Sequence, residues 1–413
     1  MNKLSLRLYE KINIALFSMM ISSFFIFNLS GVLSSLSIIV FTGMIFLVYA
    51  YSNHWKIRVP IEKFHIFIMI FSFFCFISSL WARDGAVARS MGITIFELLI
   101  CMSIIFSCFI KLPSVEFLLK ALMWSGVIVG LYTVYFYGIP TFFSMLSGTI
   151  RIGNDYANSN AIGMWGAVCS VVFFYFILRE HKFKYIAIII PICLVAMSQS
   201  RTALIELLVG IFLIIIFKYK NHKNILKSIF GIVFAIIITI MIIYFMSKLD
   251  IFAGLNERMS SLFDFLGGES VQEGSVIQRQ IYIKTGLDEF FKHPIFGIGI
   301  GNSYFITQNV TGHSTYLHNN FVELLSCGGI VGFLLYYGLT ASMLIKLWKY
   351  SRRNIDFAEI CLIILSIKTF SDYGTISYYS KQGYIILLIC AMMLYFNKAQ
   401  NKMYYIDKNT FKR

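Results

Sequence analysis

Charge is scarce in this sequence. Lys, Arg, Asp and Glu together fill 13% of its 413 positions, whereas hydrophobic residues fill 58%; a soluble domain carries about 25% charged residues. A water-facing surface cannot be covered from that supply, which excludes an ordinary soluble chain. The eight cysteines form no C-x-x-C pair, and Cys75, Cys169, Cys327 and Cys390, like the rest, lie in or beside apolar runs. They read as small packing residues, neither staples nor metal ligands. No internal repeat, low-complexity tract or soluble-domain boundary interrupts the chain, so 1–413 reads as a single integral membrane domain. The net charge of +15 comes from basic residues spread over many short loops. A single basic stripe is lacking, and with it the footprint of a nucleic-acid partner.

Long apolar runs take the place of charge. Runs near the ~20 residues that a spanning helix needs fall at 12–28, 32–51, 64–81, 93–110, 115–137, 161–178, 185–198, 202–217, 226–246, 321–348, 357–376 and 384–396. The first follows Lys3, Arg7 and Lys11 as a signal peptide would, yet shows no clear small-residue cleavage site and leads into another span, so it reads as a retained helix. The expected fold class is all-α: a polytopic membrane bundle of about 12 transmembrane helices. Starting from a cytoplasmic N-terminus, the loops assigned to the inside hold more than twice the Lys and Arg of those outside. The short inner loops "KYKNHKNILK" and "KLWKYSRRN" are the most basic. Both termini are therefore expected in the cytoplasm. Residues 185–217 also fit a broken helix pair dipping into the membrane.

One connection stands apart. Residues 247–320 make a long extracytoplasmic loop where typical connections have about 4–6 residues, and loops of such length carry function. Its middle, "VIQRQIYIKTGLDEFFKHP", sets Ile277, Ile281, Leu287, Phe290 and Phe291 at helical spacing before Pro294, which predicts an amphipathic helix lying on the bilayer. The glycines of "FGIGIGNS" lack the strand-turn-helix context of a dinucleotide site and read as a tight backbone turn.

Arginines on the outer side run against the usual charge bias and so draw notice: Arg151, Arg201, Arg258 and Arg279. Taken singly, each is as readily explained by snorkelling to lipid headgroups. As a set they suit a lipid diphosphate, because a guanidinium offers a flat fork of donors to two phosphate oxygens at once. Arg201 is pinned between two spans in "AMSQSRTALIE", and Arg279 sits on the polar side of the amphipathic helix. His318 lies where the long loop re-enters the membrane, a position for accepting a hydroxyl proton or for a plain helix-entry histidine. Asn319, Asn320 and Glu323 either orient it or cap and pack the next helix. A metal reading through His293, His313 and His318 fails on spacing and on the lack of a carboxylate cluster, so no metal or other cofactor is expected. Lys368 and Asp372, four apart in an apolar run, read as a neutralised intramembrane pair.

Four segments in order, "RIGNDYANSNAIG" (151–163), "SQSRTALI" (198–205), "HPIFGIGIGN" (293–302) and "LHNNFVELLSCGGIVG" (317–332), resemble the O-antigen ligase and O-antigen or capsular polysaccharide polymerase superfamily. The resemblance covers the last two thirds of the chain; the first five spans resemble nothing specific. It implies a metal-independent, inverting glycosyltransferase on the outer face of the bacterial plasma membrane. The donor would be a glycan on undecaprenyl pyrophosphate and the acceptor another lipid-linked saccharide. The family's phosphate-binding arginines correspond to Arg201 and Arg279, with Arg258 competing for the second match, and its catalytic histidine to His318. Arg151, Arg258, Asn319 and Glu323 are further candidate substrate contacts. A polymerase of repeat units is the leading expectation. The alternatives are a ligase transferring to lipid A core or another acceptor, and a transporter or flippase of lipid-linked oligosaccharide. A chain-length regulator and a separate flippase are candidate partners.

Overall fold

The computed structural model describes residues 6–219 apart from 29, 53–59, 111, 113, 154 and 156, then scattered positions between 229 and 260, then residues 274–410. Among the described residues every regular element is helical. In chain order these are α1 (Leu6–Ile26), α2 (Gly31–Ser52), α3 (Lys63–Ser78), α4 (Gly85–Phe109), α5 (Glu116–Tyr137), the short α6 (Ile139–Leu146), α7 (Ser159–Glu180), α8 (Ile189–Ser198) and α9 (Arg201–Tyr219). After the sparsely described region come α10 (Gly274–Lys292), α11 (Ser303–Thr311), α12 (Asn320–Ser351), α13 (Ala358–Ser371) and α14 (Lys381–Thr410).

Six of these, α2, α4, α5, α7, α9 and α12, are long and apolar enough to cross a membrane, and α3 and the 184–198 stretch are shorter apolar helices. This is the structure of a helical membrane protein. In hydrocarbon every backbone donor must be satisfied within the chain, and a helix does so segment by segment. Helices stand over eleven of the twelve expected spans; in the ninth, 226–246, only scattered positions are described. The 185–198 run is split into a 3₁₀ turn, Phe183–Ile188, followed by α8.

Contacts gather the chain into two compact units. One comprises residues 5–44 and 116–272. Here α1 lies on α5, with Ser18 and Ser22 hydroxyls donating to the Ala121 and Ser125 carbonyls at 2.9 and 3.2 Å. α5 packs against α7, where Trp165 Nε1 donates to Ser125 Oγ at 3.0 Å and Cys169 Sγ to the Leu122 carbonyl at 3.2 Å. Small residues let these backbones approach closely, as membrane helices require when no water is present to drive them together. The expected role of Cys169 as a packing residue fits this contact.

The other unit comprises residues 1–4, 45–115 and 273–413. In it α3 pairs with α4, Ser72 Oγ donating to the Gly92 carbonyl at 3.0 Å, and α12 packs on α3, α13 and α14. α12 is not one straight helix. At Gly329 the backbone turns to φ 62°, ψ −167°, dividing a short first half from a long second one. The freed backbone groups are met by the stretch after α10. Ile330 and Val331 N–H donate to the Pro294 and Ile295 carbonyls, while Ile298 and Gly299 N–H donate to those of Ser326 and Cys327. A side chain is excluded at both crossing points. A Cβ on Gly329 would stand 2.2 Å from the Ile295 oxygen, and one on Gly297, itself at φ 63°, would stand 2.4 Å from the Cys327 carbonyl carbon. The glycine-rich stretch is thus the backbone turn expected, built to lie against a broken helix.

Candidate active site

The 273–413 part of the second unit assembles a platform around His318. α10 ends at Lys292, just before Pro294, and presents Tyr282, Ile283 and Leu287 to a small core of Tyr282, Ile306, Leu317 and Val322. The apolar stripe expected on α10 is therefore divided: Leu287 packs inward, whereas Ile277, Ile281 and Phe291 remain exposed. The turn after α10 is clipped to the start of α4. The Asp84 N–H donates to Asn302 Oδ1 at 2.8 Å, and Asn302 Nδ2 donates back to the Asp84 carbonyl at 3.2 Å. The Tyr304 hydroxyl donates to Asp84 Oδ2 at 2.9 Å. That bond, followed by the N-terminal amides of α4, holds the Asp84 carboxyl below the usual carboxylate range.

The chain then approaches α12 through residues 315–320, which are held almost one by one. Thr315 gives its N–H to, and takes a hydroxyl from, Thr307 Oγ1 of α11 at 3.1 and 2.7 Å. The Leu317 side chain is fully buried, and its N–H donates to Glu323 Oε2 at 3.0 Å. Asn319 caps α12, its Oδ1 accepting the N–H groups of Phe321 and Val322. The Asn320 N–H donates to the Asp372 carbonyl at 2.7 Å, its Oδ1 accepts from the Ser377 and Tyr378 amides, and its Nδ2 donates to the Tyr337 hydroxyl. Between these anchors His318 adopts φ 54°, the left-handed region. A non-glycine residue takes that conformation at a cost of ~1–3 kcal/mol, sustained only where its surroundings over-determine it.

The imidazole is half-buried and flanked by aromatic rings: Tyr282, nearly parallel at 5.9 Å between centroids, and Tyr316 at 4.1 Å. Among the described residues no side chain hydrogen-bonds its ring nitrogens. Desolvation by this setting, and secondly the positive charge of Arg279, press the His318 pKa down from 6.5 to about 4. At neutral pH the ring is an uncharged acceptor beside a cation. Arg279 acts on Tyr316 as well; desolvation raises that phenol's pKa and Arg279 opposes the rise. Arg279 and His318 are therefore brought together in one unit. Glu323 and Asn319 are 2% and 3% exposed, with Glu323 Oε2 and Asn319 Oδ1 occupied as described.

The first unit holds Arg151 and Arg201 close along the chain fold. Arg151 Nε donates to the Ser198 carbonyl at the end of α8, and its Nη2 to Asn160 Oδ1 in the first turn of α7, both at 2.7 Å. The Ile152 N–H donates to the Met197 carbonyl at 3.0 Å. Asn158 caps α7. Gln199 then turns left-handed at φ 46°, and Arg201 opens α9. Arg151, Ile152 and Asn160 thus buttress the turn at 197–199 that leads into Arg201. Arg258 lies outside the described residues.

The sequence reading passed over Tyr282 and Tyr316, which flank the imidazole, and over the clip of Asn302 and Tyr304 on Asp84. A tyrosine three residues after Arg279 and another two before His318 were the available signals.

Residues 186–337 match a family model described as O-antigen ligase. The match spans Arg201, Arg279 and His318 and supports the O-antigen ligase superfamily, as the sequence resemblance does. It supports glycan transfer of the O-antigen ligase or polymerase type as the general class of activity, carried out by a glycosyltransferase-like membrane enzyme. A search of curated proteins found no match.

Proposed function

We propose that this protein is a polymerase of lipid-linked polysaccharide repeat units in the bacterial plasma membrane, one integral unit of about twelve spans with both termini in the cytoplasm. The observation that carries this reading is a half-buried imidazole held between the Tyr282 and Tyr316 rings, its proton affinity lowered by desolvation and then by the Arg279 charge. That pairing suits a site where a hydroxyl must lose a proton beside an anionic leaving group. On the resemblance alone, Arg279 and Arg201 are assigned to the undecaprenyl pyrophosphate of the donor, whose charge grows as the bond from the anomeric carbon to the phosphate oxygen breaks. His318 accepts the proton of the acceptor sugar hydroxyl as that oxygen forms the new glycosidic bond. Attack opposite the leaving group inverts the anomeric centre, undecaprenyl pyrophosphate departs with the bonding electron pair, and the proton on His318 passes to solvent. No step calls for a metal.

The nearest alternative is a ligase that moves finished chains onto lipid A core or another acceptor. Lipid profiling of a deletion strain separates the two. Accumulation of single lipid-linked repeat units supports polymerisation; accumulation of long lipid-linked chains refutes it in favour of ligation. A carrier of lipid-linked saccharides is expected to need charges near the bilayer midplane, whereas His318 and the capping Asn319 stand at a helix entrance.

A further inference from the structure

Glu323 is a buried carboxylate with an unusual set of partners. It lies in the first turn of α12, 2% exposed. Its Oε2 accepts the Leu317 N–H at 3.0 Å, and its Oε1 accepts the Ser303 hydroxyl at 2.5 Å and faces Cys327 Sγ at 4.0 Å. Both oxygens are turned away from solvent and toward protein donors. One side chain thus ties together the start of α11, the first half of α12 and the residue immediately before His318. Leu317 is wholly buried, so without Glu323 its N–H would be a buried donor lacking an acceptor, a state the fold avoids. The turn would gain by shifting, and the strained φ of 54° at His318 is what a shift would release. Rotation about that bond swings the imidazole away from Tyr282 and Tyr316.

We infer that Glu323 is a positioning residue: its carboxylate, bridging Ser303 and the Leu317 amide, holds the left-handed turn that aims the His318 imidazole. The inference deepens the transferase reading and rests on it for its kinetic consequences alone. What Glu323 supplies is an acceptor oxygen at a fixed reach. Negative charge on the side chain is not what the turn needs, since neither partner is a cation.

A crossed pair of substitutions in the full-length protein tests this. Glu323→Gln keeps the reach and removes the charge; its amide oxygen accepts from Leu317 and its NH2 group donates to Ser303. Glu323→Asp keeps the charge and loses one methylene of reach. With a lipid-pyrophosphate-linked oligosaccharide as donor, E323Q is expected to turn over within about threefold of wild type with an unmoved pH profile. E323D is expected to lose about 100-fold in kcat, the scale of a 1 Å misplacement, with donor KM little changed. A second readout needs no turnover: carbethoxylation of His318 by diethyl pyrocarbonate, read by mass spectrometry against the exposed His293. Several-fold faster labelling is expected in E323D and wild-type labelling in E323Q. A folded E323Q that is inactive overturns the inference, as does E323D with wild-type kcat and wild-type labelling. Should wild type itself transfer no glycan while the labelling contrast holds, the transferase reading falls and the positioning role stands.

Discussion

Lys368 and Asp372 form an ion pair inside the bundle, Nζ to Oδ2 at 2.8 Å, with side chains 4% and 0% exposed. Lys368 also donates to the Tyr336 hydroxyl at 2.9 Å, and Tyr337 donates to the same Asp372 oxygen at 3.0 Å. Replacing Lys368 by Met removes a cation whose attraction at 2.8 Å is about 6 kcal/mol at an effective dielectric constant near 20. Asp372 would be left buried with the Tyr337 hydroxyl as its one side-chain donor among the described residues. The net loss expected on breaking such a pair is about 3–5 kcal/mol. At ~2 °C per kcal/mol, the midpoint of thermal unfolding in detergent should fall by about 6–10 °C. The consequence reaches the site, because the Asp372 carbonyl holds the Asn320 amide and Tyr337 holds the Asn320 side chain, two residues from His318. K368M/D372N removes the orphaned charge and should recover at least half of the loss. K368M melting within 1–2 °C of wild type (~0.5–1 kcal/mol), or a double mutant whose losses simply add, would refute the buried-pair reasoning.

Three further outcomes follow from the same geometry. The depressed His318 pKa means that the unfolded chain takes up a proton below pH 6.5 while the folded protein resists until about 4; stability tied to the neutral ring is complete above 6.5 and is lost as pH falls across that window. In kinetics, the acidic limb of kcat/KM should lie well below 6.5 in wild type and move upward in Arg279→Ala, which removes the second cause of the shift; a limb unmoved by that substitution counts against the pairing. Gly329→Ala should destabilise by at least about 1–3 kcal/mol through its positive φ alone, with the close approach to the Ile295 carbonyl adding to it, so a monodisperse, wild-type-stable variant would contradict the broken helix. Arg151→Lys, which cannot serve both Ser198 and Asn160, should lower the melting midpoint and weaken donor binding through Arg201, as a titration with a lipid-pyrophosphate donor would measure.

Much of this was legible in the sequence where the signal is local. Apolar runs mark helices because spanning hydrocarbon is a segment-by-segment requirement, and the i, i+4 spacing of Lys368 and Asp372 already implied their pairing. The resemblance pointed to His318 and, with Arg258 competing, to Arg279, and the charge of Arg279 acts on the His318 ring. What stayed hidden depends on partners far apart in the chain. Asn302 and Asp84 are 218 positions apart, and Asn320 meets Tyr337 and Ser377 only because α12, α13 and α14 converge. Gly329 sits in an apolar run where a tolerated glycine and a helix break look alike; only the crossing segment 294–299 tells them apart. The sequence offered Glu323 as an orienting, packing or substrate-contacting residue, and Arg151 as an outward arginine open to a substrate contact. The direction in which each side chain turns, toward Leu317 and Ser303 or toward Ser198 and Asn160, is decided by packing.

The most direct measurement is release of undecaprenyl pyrophosphate by the purified full-length protein, given an undecaprenyl-pyrophosphate-linked oligosaccharide as donor and acceptor. Wild type should release the diphosphate in step with growth of the glycan, and His318→Ala, folded and still binding the donor, should do neither. Equal release and extension by His318→Ala, or extension without diphosphate release, would contradict the assignment of His318 as the base in transfer from a lipid diphosphate.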